Sequence, residues 1–183
     1  PRGAAARLGG GGMARRGDRR VKIVAGTVDA DDALLTGIRD WIMPDHIQLH
    51  GSETLERAAQ VRELTGAGII RALPVSTPAD LDAASAWEEA ADHLLFDARP
   101  PEGSLLPGGV GVRFDWSILS GRRFSKRWFL AGGLDADNAA EAMCLSGAPM
   151  VDVSSGVESA PGVKEPALVQ AFLDAVKAAS PRP

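Results

Sequence analysis

The chain has 183 residues, with 20 Lys and Arg against 24 Asp and Glu, for a formal net charge of −4. This length suits one domain, or two at most, and the mild acidity argues against a nucleic-acid partner, which usually meets a basic face. A single cysteine excludes an internal disulfide framework and a Cys-rich zinc site. The sequence has neither an apolar run of the ~20 residues that span a membrane nor a signal peptide, so a cytoplasmic location is the default expectation.

The first twenty residues differ in composition from the rest of the chain. They carry six Arg, one Asp and the glycine run 9–12. Such a segment buries too little apolar surface to offset the entropy cost of ordering. We therefore expect residues 1–20 to be irregular, disordered or degenerate, with a basic arm for an anionic partner as the alternative, and residues 21–183 to form the domain.

Six short apolar runs, rich in β-forming residues, follow at intervals of about 22 to 35 residues. They begin near Val21, His46, Ile69, His93, Trp128 and Met150. Near-continuous apolar runs are typical of strands that are buried on both faces, as in a parallel sheet. Helical stretches lie between them, and strand–helix alternation predicts parallel strands joined by right-handed crossovers.

Local signals indicate where several of these helices begin. Thr77-Pro78, with Asp80 three residues on, has the pattern of a capping box with a first-turn proline. Ser52 and Asp135 are the expected N-caps of the helices that follow them. Pro166 suits the first turn of the last helix.

The position of the glycines decides between an open doubly wound sheet and a closed barrel. An open sheet normally has a glycine-rich loop after its first strand, but here that strand is followed by Asp29-Ala30-Asp31. Glycine and serine instead follow the last two runs, where barrels commonly bind phosphate. We therefore predict an α/β fold of the (β/α)8 barrel class, with about six strand–helix units present.

The two glycine- and serine-rich clusters predict one composite anion pocket. Gly132 and Gly133 end the fifth run, and Ser154, Ser155 and Gly156 end the sixth. Glycine lets a phosphate approach backbone N–H groups, and serine adds hydroxyl donors. Taken alone, each cluster is better explained as a tight turn into a helix, and it is their placement on successive strand ends that favours the pocket.

Asp97 is the candidate acid, because it ends the run HLLFDA at the position where barrels carry catalytic groups. The alternative is an aspartate that caps the next loop. Residues 99–113 then form a long loop rich in Pro and Gly, which predicts either a lid or a surface loop without a role.

The histidines and the cysteine do not indicate a metal site or a nucleophile. His46 and His50 lie four apart on a strand, which puts them on one face about 13 Å apart, and no third ligand completes a zinc site. His50 could line the mouth of the barrel. Cys144 lies mid-helix between apolar residues and is expected to be a packed thiol.

Several segments together resemble the motifs of phosphoribosylanthranilate isomerase. The resemblance rests on residues 48–51 (QLHG), Phe96-Asp97, residues 108–116 (GGVGVRFDW), residues 130–134 (LAGGL), residues 151–158 (VDVSSGVE) and residues 161–164 (PGVK). It extends in unbroken order from about Val21 to the last helix.

The resemblance implies an eight-stranded barrel of tryptophan biosynthesis that performs an Amadori rearrangement of N-(5-phosphoribosyl)anthranilate. It implies that Asp97 is the general acid, and that Gly132, Gly133, Ser154, Ser155 and Gly156 hold the substrate phosphate, with no metal and no cofactor. The partner it implies is a small phosphorylated molecule, with neither a nucleic acid nor a membrane.

One departure from the family pattern concerns the general base. In the family, the base is a cysteine in a KICG-like motif at the end of the first strand, and this sequence has no counterpart of it. The six predicted strands correspond to the third through eighth strands of the family's barrel. Arg2 could be a remnant of the family's anthranilate-binding arginine. The resemblance therefore implies an N-terminally incomplete chain, expected to be inactive as given and to associate through open sheet edges.

Three other hypotheses about the function of these residues remain open. Indole-glycerol-phosphate synthase would need an early catalytic lysine, but Lys22 begins its strand instead of ending it. A ribulose-phosphate epimerase would need metal-binding histidines and carboxylates. A non-catalytic barrel remnant that binds phosphate or a partner subunit is the third alternative.

Overall fold

Six parallel strands form one sheet whose spatial order follows the chain. The computed structural model describes residues 21–99 and 113–179. The strands are β1 (Val24–Thr27), β2 (His46–Leu49), β3 (Gly68–Val75), β4 (His93–Ala98), β5 (Trp128–Leu130) and β6 (Met150–Val151). All six predicted strands are confirmed, although β1 begins three residues after the apolar run does.

Helices lie between most of the strands and after the last one, as the alternation predicts. They are α1 (Asp32–Ile42), α2 (Leu55–Thr65), α3 (Ala84–Ala90), α4 (Ala139–Ser146) and α5 (Pro166–Ala179), with 3-10 turns at Pro78–Ala83, Trp116–Leu119 and Ser155–Val157. A two-stranded antiparallel hairpin, β7 (Glu158–Ala160) with β8 (Val163–Lys164), follows β6 and was not predicted.

The helix starts confirm two of the four predicted signals. Thr77 and Asp80 form the capping box, on the 3-10 turn that precedes α3, and Pro166 begins α5. The N-cap of α2 is Thr54 and not Ser52, whose backbone and hydroxyl both donate to the Asp29 carboxylate instead. Asn138 occupies the N-cap position of α4. Asp135 caps the turn that leads into α4, because its Oδ1 accepts the backbone N–H groups of Asp137 and Asn138.

The two faces of the sheet have different neighbours. Side chains alternate along each strand, and one set packs with the helices into the larger core, which includes Ile47, Leu49, Ile69, Leu94 and Phe96. The other set forms a small separate cluster of Ile70, Ala72, Leu95 and Ala131, with Phe129 against it. The polar strand-end residues belong to this second, inward set.

The order of the sheet ends at β1 and β6 in the described part of the chain. Val24 and Val28 on the β1 side are 42% and 37% exposed. Leu168 and Leu173 on α5 are also exposed. The prediction that the chain associates through these edges stays a prediction.

A pair of histidines lies at the amino-terminal end of the inward face. The rings of His46 and His93 are 5.4 Å apart, and Phe129 meets His93 edge to face at 5.8 Å. Gly68 makes room for this pair, because a Cβ there would lie 2.5 Å from Cδ2 of His46. Burial lowers the pKa of His46, His93 and Lys22 lower it further, and Asp92 and Asp45 act in the opposite direction.

We predict that acid weakens the fold through His46. A histidine whose pKa is lowered by folding binds its proton more tightly in the unfolded chain, so stability is full above the ordinary pKa of about 6.5 and falls as the pH drops below it. His46→Gln should therefore lose less stability than the parent between about pH 7.5 and about pH 5.5. Urea unfolding of both proteins at the two pH values is the measurement. Equal losses would contradict the prediction.

Candidate active site

Asp97 lies near the carboxyl end of β4 and is 6% exposed. Its neighbours Phe96 and Ala98 are buried, and strand alternation turns the Asp97 side chain to the inward face. Its Oδ1 accepts a hydrogen bond from the backbone N–H of Ala98 at 2.8 Å. Its Oδ2 lies 3.4 Å from Nε2 of His50, so the carboxyl group faces a second titratable side chain.

His50 directly follows β2, and its backbone N–H donates to the carbonyl of Thr27 at 2.9 Å. The side-chain amide nitrogen of Gln48 lies 3.3 Å from Nδ1 of His50. An amide nitrogen only donates, so Nδ1 accepts, and the neutral ring carries its proton on Nε2, toward Asp97. The prediction that His50 lines the mouth stays a prediction.

The glycine pair after β5 lies directly against Asp97. Gly132 and Gly133 have φ values of +91° and +64°, a region that suits residues without a Cβ. A Cβ on Gly132 would stand 2.7 Å from the backbone nitrogen of Ala98 and 3.1 Å from Oδ1 of Asp97. The Gly132–Gly133 turn can therefore pack closely on the end of β4 only because it lacks side chains.

Arg113 and Asn138 both bind the same turn. The carbonyl of Gly133 accepts from Nε of Arg113 and from the side-chain amide of Asn138, both at 3.0 Å. Arg113 also forms an ion pair with Asp135 at 2.9 Å. These contacts fix the turn at the mouth of the sheet.

The serine-rich segment after β6 touches the glycine turn. A Cβ on Gly156 would overlap the carbonyl oxygen of Leu134, so the two predicted phosphate loops are in backbone contact. Lys164, on β8 of the hairpin, binds this serine-rich segment. Its ammonium donates to the Ser154 carbonyl at 2.7 Å and forms an ion pair with Glu158 at 2.9 Å.

Asp152 is a second strand-end carboxylate that the sequence interpretation did not single out. It directly follows β6, as Asp97 ends the apolar part of β4, and that shared pattern was the available signal. Desolvation by the surrounding protein raises the pKa of Asp152, and the negative charge of Asp97 raises it further, while His50 and Lys164 act in the opposite direction. The charges of Asp97 and His50 therefore both act on Asp152.

The structure brings together Asp97, His50, Gly132, Gly133 and the segment 154–156, all predicted as site residues. Arg2 and the rest of the N-terminal segment 1–20 lie outside the described residues, as do residues 100–112 of the lid candidate 99–113. The expectation that Cys144 is packed is wrong, because the thiol is exposed. The buried positions of α4 are Ala139, Ala142 and Ser146, and Cys144 lies on the other side of the helix.

Within residues 21–99 and 113–179, no group of three or more His, Cys, Asp or Glu could hold a metal ion. In the same ranges, no helix has the length and apolar character needed to cross a membrane.

We predict that Gly156→Ala separates the two loops. The added methyl meets the Leu134 carbonyl, and such overpacking typically costs ~1–3 kcal/mol. The matched control is Gly37→Ala in α1, where a Cβ meets nothing within 4 Å and should stabilise by ~0.5–1 kcal/mol. Urea unfolding of both variants gives the two signs. A Gly156→Ala protein as stable as the parent would refute the close contact.

Residues 13–175 match the sequence model of the family described as N-(5'-phosphoribosyl)anthranilate isomerase. Among curated proteins, the chain is 61% identical over 157 residues to the N-(5'-phosphoribosyl)anthranilate isomerase of Caulobacter sp. strain K31, covering 86% of this chain and 74% of that protein. It is 52% identical over 156 residues to the Mesorhizobium japonicum protein of the same name, covering 85% and 71%.

Solved structures agree with the sequence matches. The fold is similar to that of phosphoribosyl anthranilate isomerase from Thermotoga maritima, with a TM-score of 0.74, 30% identity and coverage of 86% of this chain and 74% of that one. A second similar structure is an isomerase in complex with reduced 1-(o-carboxyphenylamino)-1-deoxyribulose 5-phosphate, with a TM-score of 0.71, 28% identity and coverage of 86% and 72%.

Proposed function

The chain belongs to the N-(5'-phosphoribosyl)anthranilate isomerase family of tryptophan biosynthesis, and from that premise we propose that the strand-end site described above binds and rearranges the family's substrate. The reaction converts N-(5-phosphoribosyl)anthranilate to 1-(2-carboxyphenylamino)-1-deoxyribulose 5-phosphate. One observation carries the proposal: Gly132 packs against Asp97 while the Leu134 carbonyl of the same turn meets Gly156. The proposed acid and the two loops that we propose bind phosphate thus lie on one continuous surface.

The phosphate end of the substrate is assigned to Gly132, Gly133, Ser154, Ser155 and Gly156. Glycines permit a close approach to backbone N–H groups, and the serine hydroxyls add donors. The ammonium of Lys164 is bonded to Ser154, so it brings a positive charge to this loop while holding the loop's shape. A relative's complex with a phosphorylated ligand supports the same class of small molecule for this chain.

The reacting end is assigned to Asp97, as the general acid. Its carboxyl proton passes to the ribose ring oxygen, the bond between that oxygen and C1 breaks, and the nitrogen lone pair forms the C1=N bond of a Schiff base. Loss of the proton at C2 then sends the C2–H electron pair into a C1=C2 bond and returns electrons to nitrogen, which gives an enolamine. The enolamine tautomerises to the C2 ketone of the product.

The base that removes the C2 proton is not assigned to a described residue. Cys144 is exposed on α4, away from the inward face that carries Asp97, so we do not propose it for this role. The prediction that the chain as given lacks the base, and is inactive alone, stays a prediction. Among the described residues, Asp97 with its neighbour His50 therefore accounts for the proposed acid step only.

The composite phosphate site predicts a pattern of amide protection. Saturating inorganic phosphate should slow hydrogen exchange at both Gly132–Gly133 and Ser154–Gly156, and should raise stability by RT ln(1 + [L]/Kd). Amide exchange of the full chain with and without phosphate is the measurement, with sulfate-free chloride at equal ionic strength as the control. Protection of only one loop, or of neither, would refute a shared site.

The acid assignment predicts a loss of turnover in Asp97→Asn. The host is a chimera in which the first strand–helix units of the Caulobacter relative precede Val21. General acids typically contribute ~10²–10⁴-fold, so turnover should fall by that order while the fold persists. Asp174→Asn, on the exposed face of α5, is the control. Turnover of Asp97→Asn within about threefold of the parent would contradict the role.

A further inference from the structure

Glu53, in the loop between β2 and α2, is a buried carboxylate with three donors. Its side chain is 3% exposed. Oε1 accepts the backbone N–H of Asp29 at 2.9 Å, and Oε2 accepts the backbone N–H of Gly51, also at 2.9 Å. The third donor is Nη1 of Arg71, at 2.8 Å. One carboxylate thus ties together the loops after β1 and β2.

Arg71 approaches from the middle of β3, on the face that packs against the helices. Its side chain is 9% exposed, and its guanidinium lies 4.5 Å above the ring of Trp87. While Nη1 binds Glu53, Nη2 donates to the carbonyl of Gly51 at 3.1 Å. Burying two charges costs desolvation energy that their attraction often fails to recover, so stability alone explains this pair poorly.

The Glu53–Arg71 ion pair forms hydrogen bonds with both the N–H and the carbonyl of Gly51. Glu53 takes its N–H and Arg71 takes its carbonyl, and Gly51 is the residue that follows His50. The preceding contact is fixed as well, since the N–H of His50 donates to Thr27. Asp29 packs closely against Gly51 as well, because a Cβ on Gly51 would stand 2.6 Å from Oδ1 of Asp29.

We propose that the Glu53–Arg71 ion pair is a positioning pair for the acid site. It holds the backbone beneath His50 so that Nε2 of the ring stays within reach of Oδ2 of Asp97, 3.4 Å away. The ion pair lies on the face of the sheet that packs against the helices, opposite the inward face that carries Asp97. The inference gains its catalytic meaning from the proposed acid role of Asp97, but its geometry is independent of turnover.

The test reads the His50–Asp97 contact directly, by imidazole 15N spectroscopy on the full chain. The sequence has only three histidines, so the ring signals can be assigned with single variants at about pH 8.5, where ordinary histidines are neutral. Asp97→Asn is introduced into the parent and into Glu53→Gln, Arg71→Lys and Arg71→Met. The signals of His46 and His93, at the opposite end of the strands, report whether each variant keeps the fold.

The matched control is Arg62→Met, which breaks another arginine ion pair, with Asp92 at 2.9 Å, and the bond from Arg62 to the Ala90 carbonyl. Asp92 lies near His46. The control should therefore move the His46 signals and leave those of His50 in place.

The proposal expects Asp97→Asn to shift the His50 Nε2 signal in the parent, and expects most of that shift to disappear in Glu53→Gln and Arg71→Met. Arg71→Lys should keep part of it, because an ammonium can pair with Glu53 but does not span both partners. If Arg71→Met does not fold, the other two variants decide.

A full Asp97→Asn response in folded Glu53→Gln and Arg71→Lys would overturn the proposal, even if both variants are less stable. So would a parent His50 signal that ignores Asp97→Asn. The turnover assay on Asp97→Asn fails or succeeds separately, so loss of the acid role and loss of the positioning role give different results.

Discussion

The site depends on backbone surfaces that approach more closely than side chains would allow. Gly156 meets the Leu134 carbonyl, and Gly132 meets the end of β4 at Asp97 and Ala98. A parallel sheet already brings the carboxyl ends of its strands to one edge, but neighbouring loops there are normally separated by their side chains. Without a Cβ at these two positions, the ends of β4, β5 and β6 merge into one surface, on which we propose that both ends of a phosphorylated sugar bind.

Because side chains alternate along each strand, one face of the sheet packs against the helices and the other carries the polar site residues. Along β4, Phe96 packs under the helices while Asp97 turns inward, and at the end of β2, Leu49 and His50 divide in the same way. The face that packs against the helices also carries a buried charge. Arg71 lies there among buried neighbours, and the energetic cost of its charge is understandable if it fixes the loop that carries His50.

Much of this arrangement could be predicted from the sequence, because strand runs, strand-end glycines and Asp97 are local patterns with a known meaning in barrels. The contacts that decided the rest are long-range. Ser52 was the expected cap of α2, but Asp29, 23 residues earlier, binds it and leaves Thr54 as the cap. Cys144 was expected to pack, yet short α4 buries the opposite side. No local signal pairs Glu53 with Arg71.

The central claim is that a single surface holds the phosphate at the β5 and β6 loops and the reacting carbon at Asp97. A crystal structure of the full chain with reduced 1-(o-carboxyphenylamino)-1-deoxyribulose 5-phosphate, the ligand of a similar isomerase, tests it most directly. The account predicts the phosphate between Gly132–Gly133 and Ser154–Gly156, with an oxygen of the ribulose chain in hydrogen-bond reach of Asp97. A ligand whose phosphate binds elsewhere, or whose sugar carbons lie away from Asp97, would contradict the account.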